Sequence, residues 1–327
     1  MQFVRLLIVV LIFCSTVKAQ EMLIQMKDGS LIKFVIANID SIYFQNLYQP
    51  TDTSIKVTNT QFIGHKGGGA TGYLGFYIEN TMPSILYGLK TMNGVEVDIQ
   101  MSLDGTPWIF HNADIADKSC DTSFHHSITL LHDSVISKIK QCDCCGLTDR
   151  LYKLSELIDY WNASPNGFFI SLHLKQSGDI PPDTLALIGG EEAYFMKLAD
   201  NLATVLKTFN HQGQIGLEFE DDAFCTKIKT LVSGIKCFLL AYSDFPSEIN
   251  EALAGGYFGI SHIFSNATAT LANVLSAQSK GLQVAMWTPY YIPDLQTALN
   301  KHPDYIQTDR MSAIKDLKLV VVKPSAK

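Results

Sequence analysis

Residues 94–99 read GVEVDI, and this stretch decides how the rest of the sequence is interpreted. Successive side chains of a β-strand point to opposite faces, so Glu96 and Asp98 lie on one face and the apolar residues on the other. Two adjacent carboxylates repel each other, and such a pair usually persists because a cation or a shared proton lies between them. The stretch therefore predicts a strand that presents two acidic groups to a binding site.

Two histidines flank this strand in the sequence. His65 follows the apolar residues 62–63 and His111 follows the apolar residues 108–110, so each is predicted to lie at the end of a strand. A single histidine at a strand end is more often structural than catalytic. Beside two adjacent carboxylates, however, histidines suit proton transfer near neutral pH. The pattern predicts two histidines around a carboxylate-bound divalent cation.

Strand-like and helix-like stretches alternate from residue 61 onward. The predicted strands are residues 62–64, 94–99, 168–174, 214–220, 236–242, 258–262, 283–288 and 305–308, with a short additional strand at 108–110. The predicted helices are residues 82–92, 154–161, 191–209, 222–231, 246–254, 267–280 and 292–300. Eight strand–helix alternations predict an α/β fold, the closed parallel (β/α)8 TIM barrel.

The barrel predicts which strand residues face inward. Helices cover its outer surface, so outward-facing strand residues are apolar, and polar residues point inward, toward a site at the C-terminal ends of the strands. By this rule His173 and Lys175 face inward on the third strand, and Glu218 and Glu220 on the fourth. Polar residues of three strands are therefore expected to converge on one mouth with the acidic pair.

The order of these residues resembles the motifs of the glycerophosphodiester phosphodiesterase family. The usual family pattern is His-Arg-Gly, Glu-Asn-Thr, Glu-x-Asp, Thr-x-Asp-Gly and His-Asp. The corresponding segments here are His65-Lys66-Gly67, Glu79-Asn80-Thr81, Glu96-Val97-Asp98, Asp104-Gly105 and His111-Asn112. Softer matches, a Trp-Thr pair at 287–288 and a Thr-Asp pair at 308–309, extend the resemblance over residues 60–318. It implies a barrel of the phospholipase C-like phosphodiesterase type.

The resemblance also implies an activity, the metal-dependent hydrolysis of glycerophosphodiesters to glycerol 3-phosphate and an alcohol. In this reaction the substrate's own glycerol hydroxyl would attack first, and water would open the resulting cyclic phosphate. The residues implied are the general acid and base His65 and His111, the cation ligands Glu96 and Asp98, and the substrate-binding residues Lys66, Lys175 and Trp287.

Three positions depart from the family pattern. Lys66 replaces an arginine, and lysine offers phosphate a point charge instead of a bidentate fork. Asn112 replaces an aspartate, which removes a negative charge beside His111. His173 stands where the family carries a glutamate ligand, and this departure has the largest consequence for a metal site.

The identity of the cation and of its third ligand follows from that departure. The resemblance implies Mg²⁺ or Ca²⁺, which prefer oxygen ligands. An imidazole from His173 would favour Mn²⁺ or Zn²⁺ instead. Alternatively, Glu218 or Glu220 on the next strand replaces the missing carboxylate, or the metal site is degraded. We expect the metal ligands among Glu96, Asp98, His173 and Glu218.

Two alternative functions stay open at this point. One is a phospholipase C- or D-like enzyme that acts on intact lipids, since such enzymes have a similar barrel and paired histidines; the sequence contains no clear amphipathic membrane helix to support it. The other is a non-catalytic barrel that binds a ligand through a degraded metal site. The three departures motivate this second alternative, and the retained histidines and acidic pair argue against it.

The N-terminal region is predicted to lie outside the barrel. Residues 1–19 have the basic start, apolar run and small terminal residues of a secretory signal peptide, which predicts export to the periplasm or the exterior. Lipid attachment at Cys14 is the less favoured alternative, because the preceding Phe13 is bulky. Residues 20–59 are predicted to form a small β-hairpin unit and a linker, and residues 319–327 a C-terminal tail.

Composition limits the class of partner. The formal net charge of −7 argues against nonspecific nucleic-acid binding, which depends on Lys and Arg. Apart from the signal-like run, which is too short to cross a bilayer, no stretch resembles a membrane span. We expect a small-molecule glycerophosphodiester as the partner and leave the oligomeric state open.

Four cysteines lie in or beside one loop, at positions 120, 142, 144 and 145. They lack the spaced pairs that are typical of zinc sites, and an exported chain permits disulfides. Disulfide bonding is therefore predicted for this loop. The same loop contains His125, His126 and His132, and is a candidate lid or specificity insert.

Overall fold

The computed structural model describes residues 21–25, 31–35, 56–70, 77–143, 146–163, 168–175, 180–210 and 212–322. The chain divides into two compact units, Met1–Thr53 and Ser54–Lys327. The predicted signal peptide lies outside the described residues. In the first unit, strands β1 (Glu21–Gln25) and β2 (Leu31–Val35) pair antiparallel, with Glu21 opposite Val35, as the predicted hairpin requires.

The second unit contains the remaining strands. They are β3 (Lys56–Thr58), β4 (Gln61–Gly64), β5 (Gly94–Met101), β6 (Pro107–Ile109), β7 (Lys140–Cys142), β8 (Thr148–Arg150), β9 (Tyr152–Lys153), β10 (Phe169–Leu174), β11 (Ile215–Phe219), β12 (Lys236–Ala241), β13 (Gly259–Ile263), β14 (Gln283–Trp287), β15 (Tyr305–Thr308) and β16 (Leu319–Val321). Eight of them pair in parallel in the order β4-β5-β10-β11-β12-β13-β14-β15, and β15 pairs with β4 again. The predicted closed parallel barrel is confirmed.

Helices connect most of these strands. They are α1 (Met82–Thr91), α2 (Asp133–Ile136), α3 (Leu154–Ala163), α4 (Pro182–Leu187), α5 (Glu191–Leu206), α6 (Asp222–Leu231), α7 (Phe245–Ala254), α8 (Leu271–Ser279), α9 (Ile292–Leu299) and α10 (Ala313–Asp316). No helix among the described residues is long and apolar enough to cross a membrane.

Several elements differ from the sequence prediction, among them one helix start and two short strands. Helix α8 begins four residues later than predicted, because Thr270 caps it by accepting a hydrogen bond from the Asn273 N–H. Strand β3 lies in the predicted linker and β16 in the predicted tail, and the two pair in parallel. The barrel unit therefore extends beyond the predicted range 60–318 at both ends.

The barrel interior is layered. Near the N-terminal ends of the strands, the rings of Phe169 and Tyr305 stack with centroids 4.7 Å apart, and Phe238 packs on both. Gly216 makes room for this layer, since a Cβ there would lie 2.5 Å from the Phe169 ring. The outward face of β5 is apolar and buried against α1, as the strand periodicity predicts. The aromatic layer thus fills the lower part of the barrel, where the Tyr305 hydroxyl donates to Gln283 Oε1 at 2.9 Å.

Residues 111–151, here called the insert, connect β6 to β9. The insert has a small apolar core of its own, formed with Trp108 and Phe110 from the end of β6. A disulfide joins Cys120 to Cys142, which confirms disulfide bonding in this loop. Residues 144 and 145 lie outside the described residues. Two further cysteines, Cys225 and Cys237, are buried free thiols.

Candidate active site

The C-terminal ends of β5 and β10 bring three potential metal ligands together. Asp98 lies opposite His173 in the parallel register of the two strands. One ligand atom from each of Glu96, Asp98 and His173 lies within 4.8 Å of the others. Both carboxylates are almost fully buried. The predicted acidic pair thus forms a compact group with His173.

Glu96 is held in place through one oxygen. Its Oε2 accepts a hydrogen bond from the Lys66 backbone N–H at 2.7 Å, while Oε1 is buried without a hydrogen-bond partner. Burial, together with the negative charge of Asp98, raises the pKa of Glu96 to about 7. A buried carboxylate with one unpaired oxygen is suited to bind a cation, which would restore its ionised form.

Asp98 has charged neighbours at one oxygen and a hydrogen-bond partner at the other. Its Oδ1 lies 3.0 Å from Lys175 Nζ and 3.1 Å from His173 Nδ1. Its Oδ2 accepts a hydrogen bond from Asn80 Nδ2 at 2.7 Å, and Asn80 Oδ1 accepts the Asp98 backbone N–H. Although burial alone would raise the pKa of Asp98, Lys175 and His173 hold it well below its usual range. Asp98 is therefore ionised at neutral pH.

The donor atoms of this group fit a divalent cation. His173 Nε2 is buried and, like Glu96 Oε1, has no hydrogen-bond partner. Unpaired buried polar atoms are costly unless a ligand satisfies them. The set consists of two carboxylates and one imidazole, and such mixed oxygen and nitrogen ligands suit Mn²⁺ or Zn²⁺ better than Ca²⁺.

His65 follows β4 and lies beside this group. Its Nδ1 is 2.8 Å from Asp309 Oδ1, and its Nε2 is 3.9 Å from Glu96 Oε2. Burial alone would lower the pKa of His65, but the charges of Asp309 and Glu96 raise it above its usual value. Asp309 thereby fixes the ring with Nε2 toward the carboxylates. No role was predicted for Asp309, and its one signal was the Thr-Asp pair after the last strand.

His111 follows β6 and has a different environment. Its Nδ1 lies 3.2 Å from the amide oxygen of Asn112, whose Nδ2 donates to Asp117. Burial lowers the pKa of His111 to about 4, and the positive charges of Lys175 and Lys66 add to this against the opposing charge of Asp98. The imidazole of His111 is therefore neutral at neutral pH.

The turn after β4 positions Lys66. This residue has a φ of 50°, and the following Gly67 has a φ of 85°. A side chain at Gly67 would collide with α1, since a Cβ there would lie 2.9 Å from the Ile85 nitrogen. Lys66 Nζ lies 3.2 Å from Glu79 Oε1. The ammonium is thus buried next to a carboxylate of the Glu-Asn-Thr segment.

The other predicted residues occupy distinct positions. Lys175 is buried with its ammonium at the acidic group. Trp287 lies at the end of β14, with its Nε1 buried without a hydrogen-bond partner and its ring 5.5 Å from that of Tyr242. Glu220 is exposed beyond the end of β11.

Among the described residues, the potential metal ligands that lie close together are Glu96, Asp98 and His173, and Glu218 is not one of them. Its Oε1 accepts hydrogen bonds from Ser171 and Gln307, and its Oε2 accepts one from Ser261 at 2.5 Å. Glu218 and these partners form a polar layer in the barrel interior, in which Ser171 lies two residues after Phe169 on β10. Both oxygens of Glu218 are therefore engaged in the barrel interior.

Comparisons with known proteins agree with this arrangement. A family model described as the glycerophosphoryl diester phosphodiesterase family matches residues 65–313. A comparison with curated proteins finds no match. Solved structures show the same fold.

Three solved structures illustrate the similarity. A protein of Silicibacter pomeroyi DSS-3, provisionally assigned as a glycerophosphoryl diester phosphodiesterase, has a TM-score of 0.67 and 17% identity, covering 81% of this chain and 96% of its own. A glycerophosphodiester phosphodiesterase of Parabacteroides distasonis has a TM-score of 0.62 and 16% identity, covering 80% and 98%. An Oleispira antarctica phosphodiesterase in complex with the product sn-glycerol-3-phosphate has a TM-score of 0.63 and 17% identity, covering 79% and 96%.

The solved structures establish the fold, whereas the family model spans most of the chain and includes both histidines and the acidic pair. The chain belongs to the glycerophosphoryl diester phosphodiesterase family and is a phosphoric diester hydrolase.

Proposed function

We propose that this chain hydrolyses glycerophosphodiesters to glycerol 3-phosphate and an alcohol in a reaction that requires a divalent cation. The observation that carries the proposal is the group of Glu96, Asp98 and His173, whose ligand atoms lie within 4.8 Å of one another, with His65 beside it. The product bound to the Oleispira antarctica relative supports the same substrate class.

Glu96, Asp98 and His173 would hold the cation. Glu96 Oε1 and His173 Nε2 would be two of its ligand atoms, because neither has a hydrogen-bond partner among the described residues. When bound, the cation would neutralise negative charge on the phosphate oxygens. We propose Mn²⁺ or Zn²⁺ rather than Mg²⁺ or Ca²⁺, since an imidazole occupies one ligand position.

His65 and His111 would transfer the protons. Asp309 accepts a hydrogen bond from the far side of the His65 ring and stabilises its charged form, so His65 is suited to donate a proton to the leaving alcohol. His111 bonds an amide oxygen instead of a carboxylate, so its neutral form is suited to accept a proton from the attacking hydroxyl. The ammonium groups of Lys66 and Lys175 would attract the phosphodiester.

The test is turnover of the purified chain after treatment with a chelator. Release of glycerol 3-phosphate from several glycerophosphodiesters is measured with Mg²⁺, Ca²⁺, Mn²⁺ and Zn²⁺ added singly. We expect metal-dependent release that is lost in His65→Ala and His111→Ala and retained in His125→Ala, which changes an exposed histidine. Release without metal, or from intact phospholipids alone, would contradict the proposal.

We also propose that the protein is exported, as the signal-like residues 1–19 predict. The disulfide between Cys120 and Cys142 supports this, because such bonds persist in oxidising compartments. Cell fractionation with an antibody tests it, and recovery of the protein in the cytoplasm with residues 1–19 still attached would contradict it.

A further inference from the structure

Lys118 extends the insert into the catalytic mouth. Its Nζ lies 3.1 Å from Glu79 Oε2, while Lys66 Nζ lies 3.2 Å from Oε1 of the same carboxylate. Glu79 is 2% exposed, so this carboxylate is almost fully withdrawn from water. One buried carboxylate is thus paired with two ammonium groups, one from the barrel and one from the insert.

We infer that Lys118 is a positioning residue for phosphodiester binding: by pairing with Glu79, it leaves the positive charge of Lys66 available to the substrate phosphate. This inference rests on the proposed function. A single lysine paired with a glutamate has no net charge, whereas two lysines around one glutamate have a net charge of +1. In a site screened from water, that charge attracts an anion strongly.

The position of Lys66 explains why the net positive charge of the two lysines and Glu79 can act on the substrate phosphate. Its backbone N–H donates to Glu96, so the residue directly borders the acidic group. Its charge also acts on His111, where it helps to lower the pKa. An ammonium whose charge acts on both proposed catalytic histidines is well placed to attract the reacting phosphodiester. If Glu79 were paired with Lys66 alone, it would cancel this attraction.

The insert fixes Lys118 through its backbone. The Lys118 N–H donates to the Ile115 carbonyl at 3.1 Å, and the Lys118 carbonyl accepts a hydrogen bond from the Cys142 N–H at 2.8 Å. Cys142 is bonded to Cys120, which lies two residues after Lys118. The disulfide therefore holds the Lys118 backbone against strand β7, which ends at Cys142. Through the ammonium of Lys118, the insert contributes to substrate binding.

Steady-state kinetics of Lys118→Met and Lys118→Arg test the inference, with Lys138→Met as the matched control, because Lys138 is an exposed lysine of the same insert. We expect Lys118→Met to raise KM for a glycerophosphodiester about five- to tenfold, with kcat changed less than about twofold. Lys118→Arg should retain the wild-type KM, and so should the control. In a Glu79→Gln background, Lys118→Met should have a smaller effect.

Binding of glycerol 3-phosphate, measured by isothermal titration calorimetry, separates this inference from the proposed function because it needs no turnover. A wild-type protein without activity would refute the proposed function, while its Kd could still be compared with that of Lys118→Met. Equal Kd and KM in the two proteins would overturn the inference. The absence of binding by the wild type would also overturn it. So would a Lys118→Met variant that loses only kcat and thermal stability, if Lys118→Arg does not restore them.

Discussion

At the scale of single residues, His173 would determine which metal the proposed site prefers. Replacement by glutamate gives a group of three carboxylates, which suits Mg²⁺ and Ca²⁺. We expect His173→Glu to raise turnover with Mg²⁺ or Ca²⁺ relative to Mn²⁺ and Zn²⁺ by about tenfold or more. Chelated protein titrated with each metal provides the measurement. His126→Glu, at an exposed histidine, is the control, and an unchanged order of metals would show that His173 is no ligand.

Asp309 sets the protonation of His65. Burial alone lowers the pKa of His65, and the hydrogen bond and charge of Asp309 are the first effects that raise it. Asp309→Asn should therefore lower the pKa of His65. If His65 reacts in its protonated form, turnover declines as the pH rises through its pKa, so the alkaline limb of the pH–rate profile should move to lower pH. An unmoved limb would exclude His65 as the proton donor.

The sequence predicted some site residues better than others, for a physical reason. Strand alternation correctly placed Glu96, Asp98 and His173 on the inward face, because that periodicity is local. The same rule could not predict which side chains an inward residue contacts: Glu218 faces inward, but both of its oxygens accept hydrogen bonds from other interior side chains. The contact of His65 with Asp309 spans 244 residues and is not visible in any local pattern.

At the scale of elements, Asp133 attaches the insert to the barrel. This first residue of α2 accepts hydrogen bonds from four side chains, those of Ser102, Thr106, Trp108 and Lys153. Although burial opposes ionisation, these donors hold the pKa of Asp133 well below its usual value. Its contribution to stability is therefore present above the unfolded-state pKa and is lost as the pH falls through the folded-state pKa.

We expect Asp133→Asn to lower the free energy of unfolding by about 1–3 kcal/mol at pH 7, and by less near pH 2. Urea unfolding at the two pH values measures the difference. Asp159→Asn, at an exposed aspartate of α3, should have little effect at either pH. An equal loss at both pH values would show that the charge of Asp133 is not the cause.

The disulfide stabilises the insert by limiting its unfolded state. Cys120 and Cys142 are separated by 22 positions, and a closed loop of this length is worth about 3 kcal/mol in the chain-entropy model. Reduction should therefore lower the melting temperature of the wild type, and it should leave the melting temperature of a Cys120→Ser/Cys142→Ser variant unchanged. Equal melting temperatures before and after reduction of the wild type would contradict this.

Elements were predictable where their pattern is strong. The eight barrel strands combine apolar residues with clear boundaries, so length and spacing were sufficient. The pairing of β3 with β16 was not predictable, because both strands are only three residues long and Val57 is 70% exposed. Such strands lack the alternation of buried and exposed residues that identifies a strand.

At the scale of the whole molecule, the boundary between the two compact units predicts where the chain tolerates truncation. A chain of residues 54–327 retains β3, whose Thr58 carbonyl accepts a hydrogen bond from the Val322 N–H at 2.9 Å. We expect it to retain its melting temperature and turnover. A chain of residues 60–327 loses this pairing and should melt several degrees lower. Equal stability of the two truncated chains would contradict a structural role for β3.

The filled interior of the barrel has a consequence for the order of events in a reaction cycle. Aromatic rings occupy its lower part and the hydrogen-bonded Glu218 layer lies above them, so the described strands leave the mouth as the route for small molecules. Substrate and both products then pass through the same opening of the barrel. In the proposed reaction, glycerol 3-phosphate must depart before the next diester can enter, and its accumulation should slow the enzyme by competing with incoming substrate for the same entrance.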